Sequence, residues 1–497
     1  MFGNRVDFVP NRVFILIIAG SCAKLRFIFN GVYCLPTLVV GLSRESVGIS
    51  KMKVFSLMIV WLLTAQALGA VTPHQAARLG QDLTPMGAEK AGNAAGTIPA
   101  WKGGISRPLN SYQHGDFHAD PFTKDKISAN VNSKNWQDFE KYLTPGQIAL
   151  LKKFPSYSMQ VYPSRRSAAY PQFVYDAVKK NAVSAKLLKY GTGVSDTIMS
   201  SPFPIPQTGA EVMWNHTLRY RGLRWEYTSS SVYNSSAGDQ TVVTRDYKYF
   251  WAYSQPGVTL DEIDNKIFYL KHKTIAPASM AGSMILVHET LDQVRSPRKA
   301  WIYSAGQRRV RRTPNLSYNS IDTTTNGIRT IDESDMFNGA PNLYNWKLVG
   351  KAEKFVPYNA YKLHQKGLQV ADIAGQQHIN PKLARYELHR VWVVEANLRV
   401  GMNHVYHKRR FYFDEDSWQI VSLEEYNEAD ELIRHSEAHV INYYDIPMIF
   451  STLKVSYDLE NGRYFADGLN NERTPINTDV DFKRREFTAT GLRREAR

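Results

Sequence analysis

Cysteine is almost missing: the 497 residues include two, Cys22 and Cys34, and both precede residue 51. Beyond them the chain has no disulfide, no thiol nucleophile and no cysteine ligand for a metal. Long apolar runs are missing too. A membrane-spanning helix needs about 20 apolar residues, and the main run, Val54–Leu63, stops at about half that length. An acidic surface is excluded by 61 Lys and Arg against 46 Asp and Glu, a net charge of +15. The chain also lacks a Gly-x-Ser-x-Gly elbow, a Walker loop, a dinucleotide glycine pattern and a His-Glu-x-x-His pair, so no common enzyme signature is present.

What is present begins with KMKVFSLMIVWLLTAQALGAVTP, Lys51 to Pro73. Met52-Lys53 gives a positive start, Val54–Leu63 the apolar run, and Ala67-Leu68-Gly69-Ala70 a small-residue cleavage region, which is the order of a secretory signal. The pattern predicts a cut after Gly69 or Ala70 and a periplasmic protein. No cysteine follows the run, so no lipid anchor is expected. Residues 1–51 hold short apolar patches broken by Lys24, Arg26, Pro36 and Arg44. They read as an upstream extension, with translation starting at Met52 and residues 52–70 forming the signal peptide. Residues 1–70 contain seven Lys or Arg and two acids, so the exported chain keeps +10 of the +15. Export argues against nucleic acid as the partner of this charge and favours anionic lipid headgroups.

Two textures follow. Residues 71–201 read as helices and loops. Thr72-Pro73-His74-Gln75 and Thr144-Pro145-Gly146-Gln147 each pair an N-cap threonine with a glutamine three residues on, and a third helix is predicted from Tyr170 to Leu188. Pro202-Phe203-Pro204-Ile205-Pro206 reads as a rigid linker. Residues 202–497 read as β, with strands over 212–227, 241–253, 267–273, 283–288, 299–304, 346–354, 386–399, 408–413, 418–426 and 432–443. Their short turns predict an antiparallel meander. The fold class is α+β, mostly β: a large curved antiparallel sheet, an open half-barrel whose concave face is covered by helices.

Alternation along residues 243–253 places Tyr247, Tyr249, Trp251 and Tyr253 on one face. These four are the candidate ligand contacts. The apolar segments around Ile148–Leu151 and Phe173–Val178 are the expected movable cover, joined through the Pro202–Pro206 hinge. The basic cluster Arg308, Arg309, Arg311 and Arg312 is a candidate contact for anionic headgroups or an acidic partner, since guanidinium binds phosphate and carboxylate bidentately; an exposed, solubilised hairpin edge explains it equally. His435, Glu437 and His439 share one face of a strand, a set that can bind zinc or iron. They are read here as polar residues on a solvated face, with no metal and no cofactor expected. His404 and His407 would point to opposite sides of a strand and carry less.

The stretches LTPMGAEKAGNAAGTIPAWKGG (83–104), LTPGQIALLKKFPSYSMQVYPSRRSAAYP (143–171), PFPIPQTGAEVMWNHTLRYRG (202–222) and RKAWIYSAGQRRVRRTP (298–314) resemble a large periplasmic family without an assigned function, which is itself similar to the outer-membrane lipoprotein carrier LolA. The resemblance runs from about Val71 to Arg497. It implies a LolA-like open sheet that shields acyl chains, and a non-enzymatic carrier of a lipid-like molecule working with an RND-type inner-membrane transporter and an outer-membrane protein. A hydrolase or metal-dependent enzyme on the same fold, or an envelope scaffold that binds nothing, are the alternatives. The chain departs from LolA in its length, its N-terminal addition and an insertion near Asn315 to Asn342.

Overall fold

The computed structural model describes residues 70–235, 239–313 and 318–496. The extension over 1–51 and the signal up to Gly69 lie outside them. Among the described residues no helix is long and apolar enough to cross a membrane.

The first part alternates short elements: α1 (Pro73–Ala76), β1 (Ala129–Asn132), α2 (Pro145–Lys153), β2 (Ser158–Tyr162), α3 (Gln172–Ser184), the small pair β3 (Lys186–Leu187) and β4 (Val194–Ser195), and α4 (Gly209–Leu218). Both predicted capping boxes form: Thr72 and Gln75 cap α1, Thr144 and Gln147 cap α2. Thr208 and Glu211 cap α4 in the same way.

Strands then dominate. β5 (Arg224–Asn234), β6 (Gln240–Phe250), β7 (Lys266–Ala276), β8 (Met284–Thr290), β9 (Lys299–Ser304) and β10 (Arg309–Arg312) form one meander. After the 318–342 segment come β11 (Tyr344–Pro357), α5 (Val370–Ile373), β12 (Tyr386–Leu398), β13 (Lys408–Asp414), β14 (Ile420–Tyr426), β15 (Leu432–Asn442), β16 (Ile449–Asp458), β17 (Arg463–Leu469) and α6 (Ala489–Glu495). The two runs join where β17 pairs with β5, giving a 15-stranded sheet in the order β1-β2-β12-β13-β14-β15-β16-β17-β5-β6-β7-β8-β9-β10, with β11 on β12. Pairing is antiparallel except where β2 meets Tyr386 and Glu387 of β12. Among the described residues the sheet does not close into a barrel. Its edges are β10 at one end and β1 and β11 at the other.

Three expectations are corrected. Residues 212–227 are not one strand: α4 occupies Gly209–Leu218 and β5 starts at Arg224. Every residue of α4 is buried, so it shows no polar stripe, and Val212-Met213-Trp214 imitates a core strand. Pro202–Pro206 is not an exposed hinge either. Pro202, Phe203 and Pro204 are buried, the Phe203 N–H donates to Asn215 Oδ1 at 2.7 Å, and Gly87 packs on the Pro204 carbonyl. The third correction concerns the cover, described with the site below.

Helices pack on both faces of the sheet. Gly209 of α4 lies against Val394 and the backbone of Trp346 and Lys347. α2 lies on the other face, where the Gly146 N–H donates to Glu424 Oε1 at 2.8 Å and Gln147 Nε2 donates to Glu437 Oε1 at 2.9 Å.

Candidate functional site

On the face that carries α4, β6 directs Arg245, Tyr247 and Tyr249 into a cavity of about 480 Å³. Trp251, one residue past the strand end, continues the row. Neighbouring strands extend the wall with Tyr227 from β5, Phe268 and Leu270 from β7, Ile285 and Val287 from β8, and Phe450 and Phe465 from β16 and β17. The rings are in contact: Tyr249 and Trp251 stack at 5.4 Å, Tyr227 and Tyr247 at 5.0 Å, and Trp251 meets Phe268 at 4.8 Å. Trp225 sits behind them, 5.6 Å from Trp251 and 4.7 Å from Phe450. Burial raises the phenol pKa values of Tyr247, to about 12, and of Tyr227 and Tyr249, so all three are neutral and serve as apolar surface with a polar tip.

Of the four aromatic candidates, Tyr247, Tyr249 and Trp251 line this cavity and Tyr253 does not. β6 ends at Phe250 and a 3₁₀ turn over Ala252–Ser254 breaks the alternation. The Tyr253 hydroxyl instead lies 3.0 Å from Thr197 Oγ1 and donates to the Ser200 carbonyl at 3.2 Å.

The cover is not the one expected. Neither α2 nor α3 contributes a cavity-lining residue among those described; the far wall is the 318–338 part of the insertion, with Ile321, Thr324, Arg329, Ile331, Asp335 and Asn338. Acids fasten it. Asp335 accepts from Arg219 Nη2 at 2.8 Å and Arg221 Nη1 at 2.6 Å, and the Arg221 guanidinium lies 4.0 Å from the Trp251 ring centre. Asp332 takes both ends of the buried Arg409, at 2.7 and 3.0 Å. Both carboxyls are held below the usual range: burial opposes this, and the guanidiniums outweigh it. Phe337 adds apolar contact, 5.4 Å from Trp346 and 5.7 Å from Phe411.

The network favours the protonated form of Glu425. Burial and the facing Glu333 push its carboxyl well above the usual range against the pull of Arg409. Burial raises the Glu333 carboxyl as well, but less, because Arg409 and the Thr330 N–H favour its charged form; it also accepts from Tyr406 Oη at 3.1 Å and Thr330 Oγ1 at 2.9 Å. A carboxyl whose pKa is raised on folding stabilises fully below its unfolded value of about 4.3, and that contribution is lost as pH rises toward the folded value. Glu425→Gln mimics the protonated form. Its unfolding free energy relative to the unsubstituted protein is therefore expected to improve from pH 5 upward, by as much as about 1.4 kcal/mol per pH unit. Urea titrations at pH 5, 6.5 and 8 read this; a pH-independent difference would rule it out.

The remaining candidates lie elsewhere. His435, Glu437 and His439 do share one side of β15, opposite Tyr457, Val455 and Leu453, which alternate with the cavity-lining Lys454. That side is not solvated, because α2 covers it and all three residues are fully buried. Glu437 accepts from Gln147 Nε2 at 2.9 Å and Tyr386 Oη at 2.7 Å; burial opposes its ionisation, but His435, His439 and Gln147 lower its pKa to about 2. Arg309, Arg311 and Arg312 project exposed from the edge strand β10, and Arg308 occupies its turn with φ 51°. Sequence reasoning passed over another buried cluster, His389, Asp414 and Asp416, whose ligand atoms lie close together. Those atoms are already engaged: Arg166 grips Asp416 at 2.6 and 2.8 Å, and His389 bonds Asp414 and Glu387, which raise its pKa to about 9 against burial. A protonated imidazole offers no lone pair to a metal.

Fold and site together define an α+β protein built on one open, mostly antiparallel sheet that holds an aromatic cavity under an ion-paired cover. The chain belongs to the family described as protein of unknown function DUF1329, whose profile matches residues 130–493. It is 42% identical over 436 residues to the uncharacterized protein PA3922 of Pseudomonas aeruginosa, covering 87% of this chain and 96% of the relative. Among solved structures it is similar to a DUF1329 family protein from Desulfovibrio piger, at 14% identity and TM-score 0.36 over 55% of this chain and 92% of that one. It is also similar to the LolA superfamily protein NE2245 of Nitrosomonas europaea, at 12% identity and TM-score 0.33 over 57% of this chain and 98% of that one.

Proposed function

We propose that the protein is a periplasmic, non-catalytic carrier that holds a hydrophobic, lipid-like molecule in the aromatic cavity and passes it between envelope components. The observation that carries this reading is the wall itself: Tyr227, Tyr247, Tyr249 and Phe268, continuous with the core, all line one cavity on the sheet. The volume falls in the range of small-molecule sites, about 300–1,000 Å³. Export rests on the signal pattern before Val71. The RND-type transporter and the outer-membrane partner rest on the motif resemblance, and the exposed Arg308–Arg312 hairpin is the surface we assign to an acidic partner or headgroup.

Delipidated protein is expected to bind a fluorescent acyl-chain probe saturably. Val287→Trp, which places an indole in the cavity, should weaken that binding by about tenfold or more, a loss of at least about 1.4 kcal/mol, with a smaller effect on the melting temperature. Absence of saturable binding to fatty-acid, phospholipid and sterol probes alike would overturn the carrier reading.

A further inference from the structure

The cavity is polarised along the strand order. Its β7–β9 side is built from Phe268, Leu270, Ile285, Val287 and Ile302. The charged groups there are matched, since Arg298 Nε donates to Glu289 Oε2 at 2.7 Å. On the β16, β17 and β6 side the balance differs. Lys454, Arg329 and Arg245 all act on one carboxylate, Asp467, and hold it below the usual range against burial. Lys454 approaches Asp467 at 3.4 Å, and Arg329 reaches Asp322 at 3.8 Å. Arg245, only 6% exposed, donates to the neutral Ser231 Oγ at 3.1 Å and forms no carboxylate ion pair among the described residues. Over the whole lining, the five cations Arg221, Arg245, Arg298, Arg329 and Lys454 face four acids, Glu289, Asp322, Asp335 and Asp467.

Among the described residues, two further polar atoms of lining side chains lack partners: Arg329 Nε from the cover and His272 Nδ1 from β7 are buried without a hydrogen bond. His272 is neutral, because burial and then Arg245 lower its pKa to about 3, so it supplies a donor or acceptor and no compensating charge. A buried guanidinium not directly paired with a carboxylate carries a desolvation penalty that an anionic group offsets, preferably through two parallel hydrogen bonds.

Resting on the carrier reading, we propose that the cargo is an amphiphile with an anionic head, a carboxylate or a phosphate monoester, seated on Arg245 and Arg329 with its tail along the β7–β9 wall. The alternating polar and aromatic groups of β6 set the boundary: Arg245 takes the head, while Tyr247 and Tyr249 meet the first part of the tail.

The experiment is displacement of a bound naphthylamine dye by four ten-carbon ligands: decanoate, decyl phosphate, decanol and decyltrimethylammonium. An anionic ligand is expected to displace the dye at concentrations about tenfold or more below those of decanol, with the trimethylammonium compound weakest. The order of decanoate and decyl phosphate assigns the head chemistry. Arg245→Gln and, independently on the cover, Arg329→Gln should bring the acid-to-alcohol ratio toward one, with melting curves showing that each variant folds. Equal displacement by acid and alcohol, or a preference that survives both substitutions, overturns the head-group assignment and leaves the carrier reading standing. Failure of the dye and of all four ligands to bind overturns both.

Discussion

Arg409→Met is expected to lower the unfolding free energy by about 3–5 kcal/mol, the cost typical of removing one partner from a buried ion pair. The guanidinium is fully buried, bidentate to Asp332, 3.2 Å from Glu425 Oε1 and 3.3 Å from His404 Nε2. Methionine leaves Asp332 ionised or forces it to take a proton in a site shaped for a cation. The loss should be pH-dependent. Because the Asp332 pKa is depressed, its stabilisation is present above an unfolded value of about 3.9 and vanishes as pH falls toward the folded one, so the penalty shrinks in acid. The double variant Arg409→Met with Asp332→Leu should recover part of the loss, since apolar replacement of a whole buried pair is often neutral. Hydrogen exchange at residues 328–338 should quicken in the single variant, because Asp332 is one of the two acids that hold the cover. A cost below about 1 kcal/mol would mean that the cover is held by packing alone.

Gly146→Ala poses two opposed effects. Alanine in an α-helix is favoured over glycine by about 1 kcal/mol. Here its Cβ would sit 2.1 Å from His435 Nδ1 and 2.4 Å from its Cγ. His435 cannot yield easily: it is fully buried and its Nδ1 lies 3.2 Å from the Leu423 carbonyl. Lifting α2 to make room would stretch the Gly146 and Gln147 bonds to Glu424 and Glu437, leaving two buried carboxylates short of donors. Overpacking costs about 1–3 kcal/mol and each impaired buried bond about 1–3 kcal/mol, so clash wins and a net loss of roughly 2–4 kcal/mol is expected. Adding His435→Ala should offset much of it. A stabilised Gly146→Ala protein would show that α2 rests loosely on the sheet.

Both variants mark how far sequence reasoning reached. The Thr-Pro-Gly-Gln run at 144–147 announced a helix start through its capping chemistry, and its glycine proves to be the point of closest approach to the sheet. Gly209 in the 202–222 stretch repeats the device against Val394. Two of the family-like motifs therefore have a packing meaning that local reading could not supply, because the opposing residues lie far along the chain. The aromatic row of β6 was legible from period-two alternation, and the same test on Phe268, Leu270 and His272 of β7 would have widened it. Alternation assigns residues to a common side without saying what covers it, which is why His435, Glu437 and His439 read as solvated. The cover escaped altogether: residues 318–338 have no helical period, and their acids find Arg219, Arg221 and Arg409 only in the folded chain.

The β17–β5 pairing also orders events in time. Phe450, Lys454, Phe465 and Asp467, which complete the cavity wall, are separated from Tyr227 by more than 220 residues of chain. Closing so long a loop is slow, and rates fall as contacts become more distant along the chain. The cavity wall on the first meander therefore stays incomplete until nearly the whole polypeptide is available. During that interval the part of the binding surface that β16 and β17 complete is open apolar strand face, the kind of surface that makes folding intermediates prone to aggregate.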